Sequence, residues 1–151
     1  MTRAFTVRRV VSVVAAVAMV VALALPVSAG ASFDRHFSVI SHDVNGHRTP
    51  SGFAFGIQLW NPTNTSNRVG HGHGRCKGGP NRTKAHCRVV IHLDGSIGGF
   101  GDLVLRGNFG HGDHTITVVD GDGDFGGGIA GKARVESISP RDDLVHFDLT
   151  R

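Results

Sequence analysis

Apolar side chains alternate with small or polar ones along several short segments of the chain. The clearest case runs from Phe53 to Leu59, and residues 87–93 and 145–149 repeat it. A period of two residues is typical of β-strands with one buried face, and no segment after residue 31 sustains the 3.6-residue period of an amphipathic helix. The pattern therefore predicts an all-β protein.

Turn-forming residues divide the chain into short candidate strands. Asn, Asp, Gly and Pro cluster between the apolar segments, as at Asn45-Gly46, Asp94-Gly95 and Pro140-Arg141-Asp142. Short strands with hairpin-length links suit a closed barrel better than an open sheet, so we predict an eight-stranded antiparallel β-barrel. The predicted strands are residues 35–43, 51–60, 67–75, 84–93, 96–106, 114–120, 129–139 and 143–150.

Barrel closure would gather the apolar strand faces into a core or a lined cavity. Phe53, Phe55 and Ile57, on the most regular face, are the candidate ligand-binding residues. The alternation alone leaves open which face of each strand lines the lumen.

A different pattern precedes the barrel region. Positive charge at residues 3–9, an uncharged apolar run at 10–25 and small residues at 27–29 are typical of a secretory signal peptide. We therefore predict a signal peptide over residues 1–29 and one domain over residues 30–151, in a secreted protein. The alternative is a membrane anchor, but about 16 apolar residues are fewer than the roughly 20 of a spanning helix. We expect no stable membrane anchor after cleavage.

Cleavage would change the charge of the protein. The formal net charge of +4 includes three of the 16 basic side chains, but none of the 12 acidic ones, in residues 1–29. The remainder is nearly neutral, and nucleic-acid recognition needs a clustered basic surface. We therefore expect no nucleic-acid partner.

The only two cysteines, Cys76 and Cys87, flank a segment rich in turn residues. Export to an oxidising compartment and this hairpin-like spacing both favour a disulfide between them. A metal site formed by the two cysteines with His71 and His73 is the alternative.

The ten histidines and a cluster of aspartates are the other candidates for chemistry. His71 and His73 lie on one side of a predicted strand, but zinc or copper needs three or four convergent ligands, so these two are only weak metal candidates. The segment Asp120-Gly-Asp-Gly-Asp124 starts like a calcium loop but lacks the Gly and Glu of an EF-hand at the sixth and twelfth positions. We therefore assign no metal and no cofactor.

Four stretches, taken in order, resemble the allene oxide cyclase barrel-like superfamily, which includes dirigent proteins and many secreted bacterial proteins. They are His42-Asp43 with Asn45-Gly46, Val69 to Cys76, Leu93 to Ile97, and Val118 to Phe125 with Gly131. The resemblance implies an eight-stranded antiparallel barrel that often associates into homo-oligomers. The sequence differs from the family pattern at Asp120-Gly-Asp-Gly, where the family usually has Gly-Gly-Thr-Gly.

The resemblance also implies functional residues. Asp43 and Asp124 match the acidic positions of the family and would face or flank the pocket as catalytic carboxylates that hold a ligand or pass a proton. The other interpretation is that Asp43 starts a turn and Asp124 caps one.

Two functions remain after the sequence analysis. The first is a secreted barrel that binds a small hydrophobic or aromatic molecule and steers its cyclisation or coupling, as the resemblance implies. The second is a non-catalytic extracellular binding or surface protein, with its histidines as candidates for metal binding. An open apolar lumen containing the two aspartates would favour the first.

Overall fold

The protein is built almost entirely of β-strands. A computed structural model describes residues 33–78, 85–109 and 112–151, so the predicted signal peptide at residues 1–29 lies outside the described residues. The strands are β1 (Asp34–Thr49), β2 (Gly52–Asn61), β3 (Asn64–Lys77), β4 (Ala85–Asp94), β5 (Phe100–Phe109), β6 (His114–Gly121), β7 (Ala130–Ser137) and β8 (Asp142–Thr150). In the described ranges, no helix is long and apolar enough to cross a membrane.

The eight strands form the predicted closed barrel. Each strand pairs antiparallel with the next one along the chain, and β8 pairs with β1 to close the sheet. Side chains that are direct cross-strand partners point to the same side of a sheet. The register therefore gathers the apolar alternating positions of all eight strands inside the barrel.

The largest differences from the predicted strand boundaries are at the end of β1 and the start of β5. The turn predicted at Asn45-Gly46 is part of β1, which passes through a bulge after Asp43 and continues to Thr49. The chain reverses instead at Pro50-Ser51. A β-bulge accommodates one extra residue without ending a strand, and it explains why turn-like residues here do not form a turn.

The start of β5 is also later than predicted. The sequence predicts strand from residue 96, but Gly98 and Gly99 have φ angles of 71° and 143°. These backbone conformations lie outside the β region of L-residues. The strand begins only at Phe100.

One end of the barrel is filled by aromatic side chains. A short 3₁₀ turn, Gly123–Phe125, places the Phe125 ring in this end, where it is completely buried. The ring of Phe37 stacks on that of Phe147 with centroids 4.8 Å apart, and it lies 6.3 Å from that of Phe125. We call this region the closed end.

A disulfide joins β3 to β4, as predicted. Cys76 and Cys87 are direct cross-strand partners, and both are buried inside the barrel. Since the thiols are bonded to each other, they are not available to bind a metal. The disulfide closes a short loop, with a sequence separation of 11.

Replacing both cysteines with alanine is expected to lower the free energy of unfolding by about 2–3 kcal/mol, because the unfolded chain is no longer restricted by the loop. Urea denaturation of the wild type and of the Cys76→Ala, Cys87→Ala variant measures the difference. Reductant should destabilise the wild type by a similar amount and leave the variant unchanged. Equal stability of the oxidised wild type and the variant would contradict the prediction.

Candidate functional site: an apolar cavity with a polar mouth

The half of the barrel opposite the closed end contains a cavity of about 630 Å³. Its wall is formed by inward-facing apolar side chains, including Phe53, Phe55 and Ile57 of β2. Its mouth lies where β1 passes Asp43 and where the link between β7 and β8 carries Arg141; both residues are exposed. The three candidate ligand-binding residues therefore line one cavity.

Glycines on β3 provide much of the space for this wall. Gly70, Gly72 and Gly74 occupy inward positions of β3 and pair with Leu59, Ile57 and Phe55 of β2. A Cβ atom at Gly74 would lie 2.3 Å from the ring of Phe55, which is far closer than carbon atoms approach. The absence of side chains on β3 therefore allows the larger β2 side chains to lie across it.

Two carboxylates lie together at the mouth. Asp43 of β1 and Asp143 of β8 both line the cavity, and Asp143 pairs with Ser41, two residues before Asp43. The hydroxyl of Ser137 donates to Asp143 Oδ1 over 2.9 Å. The backbone N–H of Asp43 donates to the carbonyl of Arg141 over 3.0 Å, which fixes β1 to the link between β7 and β8.

The surroundings of Asp43 favour its protonated form. Its side chain keeps access to solvent, but the protein around the carboxylate removes part of its hydration, and this raises its pKa. The negative charge of Asp143 raises the pKa further, while His42 and Arg141 oppose the shift. A carboxyl group of raised pKa at a cavity mouth is suited to donate or accept a proton.

Asp43→Asn is expected to stabilise the protein slightly at neutral pH. A raised pKa in the folded state means that ionisation of Asp43 disfavours folding, so its cost appears as the pH rises through the raised value. Below about pH 3.9, the usual pKa of aspartate, the carboxyl is protonated in both states and the cost disappears. The gain should stay below about 1 kcal/mol because water reaches the mouth.

Melting temperatures of wild type and variant at pH 7 and pH 4 measure this effect. The variant should melt higher at pH 7, and the difference should shrink at pH 4. A variant that is less stable than the wild type at pH 7 would show that the ionised carboxylate is favoured in the folded state.

Asp124, the other predicted catalytic residue, lies at the closed end. Its Oδ2 accepts a hydrogen bond of 3.0 Å from the backbone N–H of Phe100, and the guanidinium of Arg35 is 4.0 Å away. It is not part of the cavity wall, so the structure does not bring Asp43 and Asp124 into one pocket.

The aspartates near Asp124 also bond to the backbone. Asp122 Oδ1 accepts a 2.7 Å bond from the N–H of Asp102, and Asp120 Oδ1 accepts a 2.9 Å bond from the N–H of Gly121. Asp122 and Asp124 thus fasten the segment that carries Phe125 to the start of β5, whereas the bond of Asp120 is local. These bonds give Asp122 and Asp124 a structural role, and the carboxylate of Asp124 bonds across to β5 instead of capping the 3₁₀ turn in which it lies.

His114 forms part of the cavity wall. It lies at the inward-facing start of β6, and its ring meets that of Phe109 edge-on at 5.5 Å. Its Nδ1 is 2.8 Å from the carbonyl oxygen of Gly112. A carbonyl can only accept, so Nδ1 carries the proton and Nε2 of the neutral ring is an acceptor. This Nε2 is buried and has no hydrogen-bond partner among the described residues.

A buried acceptor without a partner costs about 1–3 kcal/mol. The cost would be recovered when a hydroxyl or N–H group of a ligand donates to Nε2. His114 is thus a polar residue in a wall that is otherwise largely apolar.

His42, which precedes Asp43, faces the outside of the barrel. Its Nδ1 is 2.5 Å from Asp142 Oδ1, and the Ser139 hydroxyl donates to Asp142 Oδ2 over 2.7 Å. These hydrogen bonds, from Ser139 first and His42 second, lower the pKa of Asp142. They hold the link between β7 and β8 against β1 and so shape the mouth of the cavity.

The weak metal candidates, His71 and His73, also lie on the outer surface. His71 is the cross-strand partner of His92, with ring centroids 5.3 Å apart, whereas His73 is opposite Val90. His92 Nδ1 pairs with Asp102 Oδ1 at 2.7 Å. Within residues 33–78, 85–109 and 112–151, no three His, Cys, Asp or Glu side chains converge as metal ligands.

Solved structures contain the same barrel. The chain matches pyocyanin demethylase with a TM-score of 0.60 and 19% sequence identity, over 76% of this chain and 99% of the other. It matches a pterocarpan synthase dirigent protein with a TM-score of 0.61 and 16% identity, over 79% of this chain and 87% of the other. The chain has the dirigent-like β-barrel fold.

The resemblance seen in the sequence is thus confirmed at the level of fold. No family model and no curated protein sequence matches the chain. At these identities, the solved structures show the architecture of the dirigent-like barrel, and the activity has to be argued from the cavity.

Sequence reasoning missed two residues of this cavity. His114 was not assigned to the lumen, although it stands two residues before the inward-facing Ile116 and four before Val118. Asp143 likewise stands two residues before Val145, in the same alternating series. Extending each apolar alternation by one polar position would have placed both side chains in the lumen.

Proposed function

We propose that the protein binds a small hydrophobic or aromatic molecule bearing a hydroxyl group in its barrel cavity. The observation that carries the proposal is a largely apolar cavity of about 630 Å³ whose wall includes His114, a residue with a buried Nε2 that has no hydrogen-bond partner among the described residues. Ligand sites are usually hollows of about 300–1,000 Å³ with apolar walls and a few placed polar groups. Phe53, Phe55 and Ile57 would contact the apolar body of the ligand.

The polar groups suggest how the ligand is oriented. His114 accepts a hydrogen bond from the ligand hydroxyl inside the cavity, while Asp43 and Asp143 face the mouth. A molecule held at two such points is restricted to few conformations, which lowers the entropic barrier to ring closure or coupling. In this proposal, Asp43 passes a proton at the mouth, and the protein steers cyclisation or coupling without a cofactor of its own.

The structural matches support a role in small-molecule chemistry. One is named a demethylase of pyocyanin and the other a pterocarpan synthase, and both share the fold of this chain. The location we propose is extracellular, because residues 1–29 have the pattern of a signal peptide and Cys76 and Cys87 form a disulfide.

A ligand panel tests the proposal. Phenols and hydroxylated oxylipins, each paired with its O-methyl ether, are added to the purified protein, and melting temperatures are recorded. A ligand present at a hundred times its Kd stabilises the protein by about 2.7 kcal/mol. We expect hydroxylated members to raise the melting temperature and their ethers to do so less.

A variant with a filled cavity provides the control. Ile116→Phe enlarges a buried residue of the cavity wall and should abolish the ligand-induced shift in a protein that still unfolds cooperatively. No shift with any member of the panel, or an undiminished shift in the filled variant, would overturn the proposal. Steering is then assessed by the isomer composition of products formed from a bound ligand.

A further inference from the structure

Three arginines form a row on the outside of the barrel, away from the cavity. Arg75 of β3 is the cross-strand partner of Arg88 of β4, and Arg88 is the partner of Arg106 of β5. All three side chains are exposed. We call them the arginine row. Neighbouring strands are about 4.8 Å apart, so three positive charges are held side by side.

Such a row is unfavourable by itself. Like charges directly opposite each other on adjacent strands destabilise a sheet. The arginines with a carboxylate or carbonyl partner among the described side chains are Arg35, Arg134 and Arg151, none of which belongs to the row. A bound anion would offset the repulsion.

A groove runs beside the row. The outward positions of β2 that line the groove are Ala54 and Gly56, and their small size leaves a hollow of about 760 Å³. Its lining includes Arg75, Lys77 and Arg88, and no Asp or Glu is among the described lining residues. The row and the groove therefore form one positive surface, which we call the basic groove.

The nearest acidic side chains of β4 and β5 are engaged elsewhere. Asp102 pairs with His92, four residues along β4 from Arg88, and Asp94 accepts hydrogen bonds from Ser96. The local positive charge is thus not neutralised within the sheet, although the domain as a whole is nearly neutral.

The chemistry of the basic groove identifies the class of partner. Guanidinium groups bind carboxylates and sulfates through paired hydrogen bonds, and a row of them suits a chain with repeating negative groups. Single-stranded nucleic acid would also require large aromatic surfaces for its bases. Phe53 and Phe55 direct their rings into the lumen, and the outward rings in the described lining are the small imidazoles of three histidines. A membrane surface would require large apolar side chains to insert, and the outward neighbours are Ala54, Gly56 and Val90.

We propose that the basic groove binds a linear acidic polysaccharide. The arginine row contacts successive carboxylate or sulfate groups, and the sugar chain lies in the hollow over Ala54 and Gly56. The site is separate from the cavity, so it stands or falls independently of the ligand proposed above. Binding would hold a secreted protein on an anionic cell wall or matrix.

Polygalacturonate and dextran sulfate are the probes, with neutral dextran as the uncharged comparison. Isothermal titration at low and at physiological salt is expected to show binding of the charged polymers that weakens with salt, and no binding of neutral dextran. The variant Arg75→Gln, Arg88→Gln, Arg106→Gln should bind at least tenfold more weakly. Its melting temperature should be unchanged or higher, because the repulsion is relieved.

A matched variant separates a site from general charge. Arg68→Gln, Lys132→Gln, Arg134→Gln removes the same number of charges at other exposed positions. It should retain binding within about threefold, a shift of roughly 0.6 kcal/mol or less. Equal losses in the two variants, absence of binding at low salt, or tighter binding to single-stranded DNA or to vesicles containing anionic phospholipid would overturn the proposal.

Discussion

Phe125→Ala is expected to lower the free energy of unfolding by about 3–5 kcal/mol, the largest effect of any single substitution we predict. The ring is completely buried and fills the closed end beside Phe37. Its removal would leave a cavity lined by strands that are already paired on both sides. A closed sheet can collapse little around such a space, so most of the lost packing is not recovered.

In urea denaturation, this loss should appear as a lower midpoint, while the slope of the unfolding free energy against urea concentration stays unchanged. Phe100→Ala is the matched control, because Phe100 lies at the same end of the barrel but is 55% exposed. Its effect should stay within about 0.5 kcal/mol. A loss below about 1 kcal/mol for Phe125→Ala would mean that the closed end does not depend on this ring.

His114→Phe is expected to weaken the binding of a hydroxylated ligand by about tenfold to a hundredfold. The substitution keeps a ring in the wall but removes the acceptor that meets the ligand hydroxyl, and a buried donor left without a partner costs about 1–3 kcal/mol. The free protein should change by less than about 1 kcal/mol, because it loses the bond to Gly112 but also the unpaired Nε2.

The readout is the Kd of a phenol and of its O-methyl ether for wild type and variant. Wild type should prefer the phenol, and the His114→Phe variant should bind the two about equally. His71→Phe, on the outer surface, should leave both affinities unchanged. A variant that still prefers the phenol would show that another group holds the hydroxyl.

Measuring both the free energy of unfolding and the Kd of a ligand distinguishes residues that bind the ligand from residues that only support the fold. A residue that only supports the fold loses stability when it is replaced, as we expect for Phe125. A residue kept for binding loses affinity while stability is preserved or improved, since functional sites commonly hold groups that the folded protein would be more stable without. His114 and Asp43 are both expected to follow this second behaviour.

The net charge of the chain does not reveal the basic groove. We expect no nucleic-acid partner because residues 30–151 are nearly neutral. The same net charge does not indicate a local basic surface. The arginine row arises because Arg75, Arg88 and Arg106 are brought into register by two hairpins. The net charge of a sequence contains no information about which residues become cross-strand partners, so it cannot show such a surface.

The assignment of Asp43 and Asp124 to one site failed for a related reason. Both matched acidic positions of the resembled family. The structure places Asp43 at the mouth and Asp124 at the closed end. The carboxylate that accompanies Asp43 at the mouth belongs to Asp143, which is 100 residues away in the chain and lies nearby only because β8 pairs with β1.

The sequence by itself determined the elements of this protein: eight strands, their alternating faces, most of their turns and the pairing of its two cysteines. These features depend on contacts between residues close in the chain, and a period of two residues records them directly. The tertiary structure alone decided which face encloses the cavity, which end is filled by Phe125, and which side chains meet at the mouth. Those outcomes depend on barrel closure and cross-strand register, and both are set by packing between residues far apart in the chain.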